Sequence, residues 1–233
     1  QNAGANAYNV AVGYEAGVAV STGVKNTLVG GLAGDALTTG SNNVAMGYGA
    51  LGSEDTGSRN IAIGQNALNN LNYDGNGYNV AIGHEAGVSV STGLLNVLIG
   101  GIAGDALTTG SDNVAIGYAA LSTEDGHGKN IAIGVQALED QNAGADAYNI
   151  AIGHQAGRDV TTGVNNTIIG ALAGDALTTG SRNVALGRSA LSSEDAHGFN
   201  TAIGYAALET LNAGTDGLNT AVGYAAGNAM TTG

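Results

Sequence analysis

Three pairs of adjacent acidic residues are the part of this sequence best suited to chemistry. The pairs are Glu54–Asp55, Glu124–Asp125 and Glu194–Asp195, and they recur every 70 residues. Two neighbouring carboxylates can transfer protons to a substrate or bind a divalent cation. Charged residues are seldom buried without a partner, so we expect these pairs to face solvent at a polar corner of the fold.

Asn72, Asp74 and Asn76 form a second candidate site, because their alternating oxygen-bearing side chains resemble the opening of a calcium-binding loop. An EF-hand also needs an acidic residue at the twelfth position of the loop, and that position is Gly83 here. The EF-hand is therefore excluded. A turn lengthened by two residues explains the same Asn, Asp and Gly residues. These three residues are the metal candidates, and calcium is the one cofactor that we keep open.

The histidines do not indicate a catalytic centre. The chain has four His and no Cys, and no His stands in a pattern with a nucleophile or with further metal ligands. His84 and His154 share a column of the repeat with tyrosines, and His127 and His197 follow the acidic pairs. We predict no catalytic residue, no cofactor-binding residue and no enzymatic activity.

A short internal repeat sets the elements that would position all of these residues. An Asn, three small or apolar residues and a Gly recur at intervals of 17, 17, 17 and 19 residues, which make a super-repeat of 70 residues. A short period held along a whole chain is typical of a solenoid with one coil per repeat. We number each coil from its Asn, position zero, and distinguish first-type to fourth-type coils by their order in the super-repeat. The thirteen Asn are Asn9, Asn26, Asn43, Asn60, Asn79, Asn96, Asn113, Asn130, Asn149, Asn166, Asn183, Asn200 and Asn219.

Each coil is expected to contain short β-strands. A segment such as Asn79–Gly83 is rich in β-branched residues, lacks a helical period and is bounded by Gly and a polar turn. We expect a strand at positions zero to four, a bend at the Gly, a second short strand at positions six to eleven and a polar turn. Coils stacked in parallel at about 4.8 Å would make a rod about 60 Å long. The predicted fold is all-β, a parallel β-solenoid with one coil per 17–19 residues.

Three columns of the repeat have structural explanations. Gly at position four permits a bend or a close backbone approach that a Cβ would block. Asn at position zero can bond to the next Asn in an amide ladder, and Ala at position seven fits where the coil is narrow. We therefore predict structural roles for Asn9, Gly13, Ala16, Asn79, Gly83, Ala86, Asn149, Gly153 and Ala156.

Both faces of the predicted strand are apolar. Side chains alternate along a strand, so positions one and three face one way and position two faces the other. One set can fill the coil interior, whereas the other needs a second surface, because soluble monomers rarely expose a long apolar stripe. We expect position two to meet a neighbouring copy of the chain, with Leu28, Leu98 and Ile168 as interface residues in a lateral homo-oligomer.

The composition excludes several classes of partner. Nineteen acidic residues against six Lys and Arg give a net charge of −13, which opposes binding to nucleic acid and to anionic membranes. No apolar run is long enough to span a bilayer, so we predict no membrane insertion. The recurring Tyr8, Tyr78 and Tyr148 can stack on sugars or pack over the coil edge. A cell-surface glycan or receptor therefore stays open as a partner.

The motif Asn-Val-Ala-Ile-Gly-x-x-Ala, found at residues 79–86, resembles the repeat in the heads of trimeric autotransporter adhesins. The longer pattern at Gly104–Ser111, followed by Asn113–Gly117, is similar to repeat arrays in phage tail-fibre-like proteins and bacterial surface proteins. The resemblance covers essentially the whole chain. It implies a left-handed β-roll that is trimeric about the fibre axis and acts outside the cell, on a cell surface or a virion.

We predict one continuous solenoid segment, residues 1–233, from a longer array. Residues 1–8 match residues 141–148 and would end a preceding coil, the super-repeats are 9–78, 79–148 and 149–218, and 219–233 begin a fourth. The predicted function is a structural fibre, a trimeric shaft of a phage tail fibre or of a cell-surface adhesin used for attachment. A self-assembling extracellular filament or matrix protein is the alternative. A polysaccharide-active β-helix enzyme is the least favoured, because no coil carries a long insertion.

Overall fold

The computed structural model describes residues 6–232, and the chain divides into two compact units, residues 1–113 and 114–233. Both units are all-β: residues 6–232 contain thirteen strands of three residues each and no helix. This part of the chain accordingly contains no helix long and apolar enough to cross a membrane.

Each coil contributes one strand, at positions one to three. The first unit contains β1 (Val10–Val12), β2 (Thr27–Val29), β3 (Val44–Met46), β4 (Ile61–Ile63), β5 (Val80–Ile82) and β6 (Val97–Ile99). The second unit contains β7 (Val114–Ile116), β8 (Ile131–Ile133), β9 (Ile150–Ile152), β10 (Thr167–Ile169), β11 (Val184–Leu186), β12 (Thr201–Ile203) and β13 (Thr220–Val222).

Within each unit, consecutive strands pair in parallel and in register. Val80 pairs with Val97 and Ala81 with Leu98, so each position of the repeat stacks on itself. The same register holds across a 19-residue coil, where Ile131 pairs with Ile150. The two extra residues of fourth-type coils therefore lie outside the strands. The predicted parallel β-solenoid is confirmed, and its handedness stays a prediction.

The second strand predicted at positions six to eleven is wrong. Positions four to ten form a run of tight turns, in which positions six and eight have left-handed backbone, as at Glu85 (φ 56°) and Gly87 (φ 58°). The Val88 N–H donates to the Glu85 carbonyl at 3.2 Å, and the Gly87 N–H donates to the Ala103 carbonyl of the next coil at 3.0 Å. Left-handed residues cannot continue a strand. We call positions six to ten the turn run.

The interior of each unit is filled by positions two, seven, eight and eleven, and large residues alternate among them. Second-type coils have Leu or Ile at position two and Gly at position eight, whereas third-type and fourth-type coils have Ala at position two and Leu at position eight. Leu98 shows the reason: a Cβ on Gly87 or on Gly104 would lie 2.6 or 2.8 Å from its Cδ atoms. One branched side chain thus fills space in two coils, as close packing requires.

Candidate functional site

An exposed apolar surface crosses the strands of each unit. Among the thirteen described strands, no residue at position one or three is buried, and Ile82 and Ile152 at position three each expose 36% of their surface. These positions hold Val, Ile, Leu, Met or Thr. Because the strands are in register, the side chains form two columns with a spacing of about 4.8 Å from coil to coil. Monomeric proteins rarely expose apolar patches of this extent, which makes the surface a candidate interaction site.

The residues that flank each strand extend this surface. They are the residue just before the Asn and the residue at position five, and they are exposed apart from a few half-buried Gly and Ala. We call these two columns, together with positions one and three, the strand face. It holds nine of the ten aromatic residues and five of the six Lys and Arg, namely Tyr8, Tyr14, Tyr48, Tyr78, Tyr118, Tyr148, Phe199, Tyr205 and Tyr224, with Lys25, Arg59, Lys129, Arg182 and Arg188.

Cations and aromatic rings of the strand face stack on each other in successive coils. The Arg59 guanidinium lies 5.5 Å from the ring centroid of Tyr78. The Arg182 guanidinium lies 5.2 Å from the ring centroid of Phe199. Such cation–π contacts restrain long side chains that would otherwise lose more entropy on binding. Tyr, Phe and Arg are also the residue types enriched where proteins bind one another.

The predicted interface residues lie on the other side of the strand, so that prediction is corrected. Leu28, Leu98 and Ile168 expose at most 1% of their surface within a single chain. The coil closes around position two, and the Gly residues at position eight leave room for the larger side chains there. The apolar stripe that lacks a covering surface is therefore formed by positions one and three.

Gly at position four allows neighbouring coils to approach closely. A Cβ on Gly13, Gly83 or Gly153 would lie 2.4, 2.3 or 2.6 Å from the backbone of the next coil, closer than real Cβ atoms approach. The φ of Gly83 is also +144°, a region that L-residues rarely adopt. The Ala at position seven is buried in the coil interior at Ala86 and Ala156 and half-buried at Ala16 in the first coil.

The Asn column joins the coils mainly through the backbone. Oδ1 of Asn79 accepts the Asn96 N–H at 3.0 Å, and Nδ2 of Asn79 donates to the Gly93 carbonyl of its own coil at 2.9 Å. Amide-to-amide contact along the column is longer, 3.3 Å between Asn96 Nδ2 and Asn79 Oδ1. In the same way, Oδ1 of Asn149 accepts the Asn166 N–H at 2.8 Å. Asn79 and Asn149 therefore each close one coil and hold the next, whereas Asn60 of a fourth-type coil donates instead to the Ser58 carbonyl of the preceding coil.

The glutamates of the acidic pairs are buried, contrary to the expectation that they face solvent. Glu54, Glu124 and Glu194 occupy position eleven of third-type coils and have no exposed surface. Oε1 of Glu54 accepts the Gly57 N–H at 2.6 Å, and Oε2 accepts the Tyr73 N–H of the next coil at 3.4 Å. Backbone donors thus replace water around the carboxylate. Burial raises the pKa of Glu54 and of Glu124 above the usual Glu range.

Two of these glutamates contact histidines, which sequence reasoning missed. His197 Nδ1 lies 3.1 Å from Glu194 Oε1, and His127 Nδ1 lies 3.5 Å from Glu124 Oε1. The sequence carries a signal for this contact, because His stands at position fourteen only in coils with Glu at position eleven. Together with the intervening Asp, each group places its ligand atoms within 4.8 Å of one another, a spacing that fits one cation. Both oxygens of Glu194 already accept backbone N–H groups, at 3.1 Å from His197 and from Ala213.

The calcium candidates Asn72, Asp74 and Asn76 are exposed. The Asp74 carboxylate accepts a hydrogen bond from the Thr56 hydroxyl, and Asn76 pairs with Ser58 in an isolated parallel bridge. Both contacts tie the lengthened turn to the preceding coil. Calcium binding there stays a prediction.

Comparison of the chain with protein-family models, with curated proteins and with solved structures found no match.

Proposed function

We propose that this chain is a segment of an extracellular structural fibre, in which copies pack side by side through the strand face. The observation that carries the proposal is the exposed apolar surface that recurs in every coil and is flanked by aromatic residues at seven of the thirteen strands. Every coil also has the same plan, without a long insertion that would build a cleft, which supports a structural role over catalysis. The shaft of a phage tail fibre or of a cell-surface adhesin is a function of this kind.

The strand face is large enough to support stable association. Complete burial of a Val or Ile side chain stabilises a contact by about 1.5–3 kcal/mol. Positions one and three supply two such side chains per coil in most coils. Even partial burial over several coils would offset a cost of association of roughly 4–15 kcal/mol.

Three copies are expected, because the repeat resembles that of trimeric adhesin heads. A closed trimer would cover the strand faces and leave an assembly of fixed mass. A self-assembling filament or matrix protein is the second candidate, since the same surface recurs in both units. The two differ in whether the mass of the assembly is fixed or grows with concentration.

Light scattering on the purified chain tests this function. We expect a mass about three times the 22.7 kDa of one chain at micromolar concentration. Replacing Ile82 and Ile152 by Ser should shift the assembly toward monomer, because both side chains lie on the strand face. The matched control replaces Val24 and Val164 by Ser, because these residues are also aliphatic and partly exposed but stand at position fifteen, outside the strand face and the turn run. A wild-type chain that stays a folded monomer would refute the proposal, and a mass that rises continuously would favour the filament.

A further inference from the structure

Charge is divided between two regions of each coil. The strand face carries five of the six Lys and Arg but only one of the nineteen acidic residues, Asp112. The turn run carries a single cation, Arg158, and nine of the nineteen acidic residues, namely Glu15, Asp35, Glu85, Asp105, Glu139, Asp140, Asp159, Asp175 and Glu209. One surface is thus apolar and basic, and the other is acidic.

We propose that the strand face of one copy docks on the turn run of a second copy. This inference rests on the side-by-side association proposed above and specifies which surfaces meet. Two strand faces pressed together would bring like charges into contact, which strongly disfavours that arrangement. The turn run offers the opposite charge at the same repeat of one coil, so opposite charges can meet along the whole contact.

The turn run also offers apolar surface to the strand face. Val18 exposes 66% of its surface, and Leu32 and Ile102 at position six are half-buried. Both regions therefore combine aliphatic side chains with charges, and the charges have opposite sign. Complementary potentials on patches of mixed character are typical of specific protein contacts.

The other nine acidic residues, from position eleven onward, are a poorer match for the strand face. Three are the buried glutamates. Asp146 is engaged by Lys129 of its own chain, with 2.6 Å between its Oδ2 and Nζ, and Asp216 accepts the Gly198 N–H at 3.0 Å. In the turn run Arg158 likewise engages Asp159, with 2.5 Å between Nε and Oδ1, but the remaining carboxylates there still outnumber those left in this region.

Contact between two different patches has a consequence for the assembly. Each copy offers a strand face to one neighbour and a turn run to another, so the interface is heterologous. A heterologous interface generates a ring when its rotation closes and a continuing array when it does not. A closed trimer and an open filament can therefore arise from the same pair of surfaces.

Charge reversal on each surface tests the docking. The first variant reverses the strand face with Lys25→Glu, Arg59→Glu and Arg182→Glu. The second variant reverses the turn run with Glu15→Lys, Glu85→Lys and Glu209→Lys. A third variant combines all six substitutions. The control variant carries Asp74→Lys, Asp125→Lys and Asp195→Lys, which change the net charge as the second variant does but lie outside both surfaces.

We expect the first and second variants each to associate about 100-fold more weakly than wild type, because like charges then meet. The combined variant should recover association, since the charges are again opposite, and the control variant should associate like wild type. Thermal melts by circular dichroism confirm that each variant is folded. If the turn-run variant assembles like wild type, the docking is overturned while association through the strand face stands. A wild-type chain that never associates would instead refute the proposed function itself.

Discussion

Leu98 and Ile99 are neighbours in β6 and both aliphatic, yet they occupy different environments. Leu98 is fully buried, whereas Ile99 remains half-exposed. The inner position alternates between Ala and one large residue, in step with position eight. The outer positions accept Val, Ile, Leu, Met and Thr. Volume therefore restricts the inner face, while the outer face requires only side chains suited to a strand.

Substitutions that force stacked coils apart should cause the largest loss of stability. A Cβ on Gly117 would lie 2.3 Å from the Gly134 carbonyl oxygen, whereas nothing lies within 4 Å of the Cβ position of Gly144. Both glycines have positive φ. We expect Gly117→Ala to lower the free energy of unfolding by more than about 4 kcal/mol, and Gly144→Ala by about 1–2 kcal/mol. Urea denaturation measures both, and equal losses would show that the coils can separate to admit a methyl group.

Substitutions at the adjacent residues of β6 should separate the inner face from the outer face. Leu98→Ala removes a buried side chain and should cost about 2–5 kcal/mol of unfolding free energy. Ile99→Ala should cost about 1 kcal/mol or less in the folded monomer, since its side chain is half-exposed. Denaturation in urea checks the two values at a concentration where the chain is monomeric. A larger loss for Ile99→Ala would reverse the assignment of the two faces.

The volume relation between positions two and eight sharpens this comparison. Gly104→Leu alone should clash, because a Cβ there would lie 2.8 Å from a methyl group of Leu98 and 2.8 Å from a methyl group of Leu107. In the Leu98→Ala background the new Leu can use the vacated space beside Leu107, since a fourth-type coil combines Ala62 at position two with Leu68 at position eight and Leu71 at position eleven. We expect the two substitutions to couple favourably by about 0.5–3 kcal/mol. Additive losses would contradict the shared space.

How much of this was predictable from the sequence differs between the strand and the rest of the coil. The stacking of parallel coils was predictable, because Asn and Gly at fixed positions allow only one register. The inward face was not, since alternation separates two faces without saying which is inside. The sequence does contain a pattern that identifies the inner face. A large residue at position two, such as Leu98, occurs only in coils that have Gly at position eight. The turn run was mistaken for a strand because residues such as Leu68 adopt left-handed backbone (φ 48°), contrary to their usual preference.

The acidic pairs were misjudged for a different reason. The rule that charged residues stay exposed fails when backbone N–H groups point inward and need an acceptor. The turn that follows position eleven directs the Gly57 N–H toward the interior, and the following coil directs the Tyr73 N–H there as well. Glu54 accepts these hydrogen bonds at position eleven. In the next coil the same position is occupied by Leu71, whose side chain accepts none. Predicting this burial requires knowing which backbone N–H groups of the turn point inward, and only the three-dimensional structure shows that.

The smallest predicted effect concerns the pH dependence of the buried Glu54 carboxyl. Burial raises the pKa of Glu54 in the folded chain, so the folded state keeps its proton at pH values where the unfolded chain has lost it. The stability that Glu54 contributes is therefore fully present below the usual Glu pKa and is lost as pH rises through the folded pKa. Relative to Glu54→Gln, the wild-type free energy of unfolding should rise as pH is lowered from 7 to about 4.5. Gln141→Leu is the matched control, because it alters the same position of a fourth-type coil without removing a titrating group. The difference between wild type and that control should stay constant with pH. A wild-type advantage over Glu54→Gln that grows with rising pH would mean that the backbone donors stabilise the ionised carboxylate more than burial disfavours it.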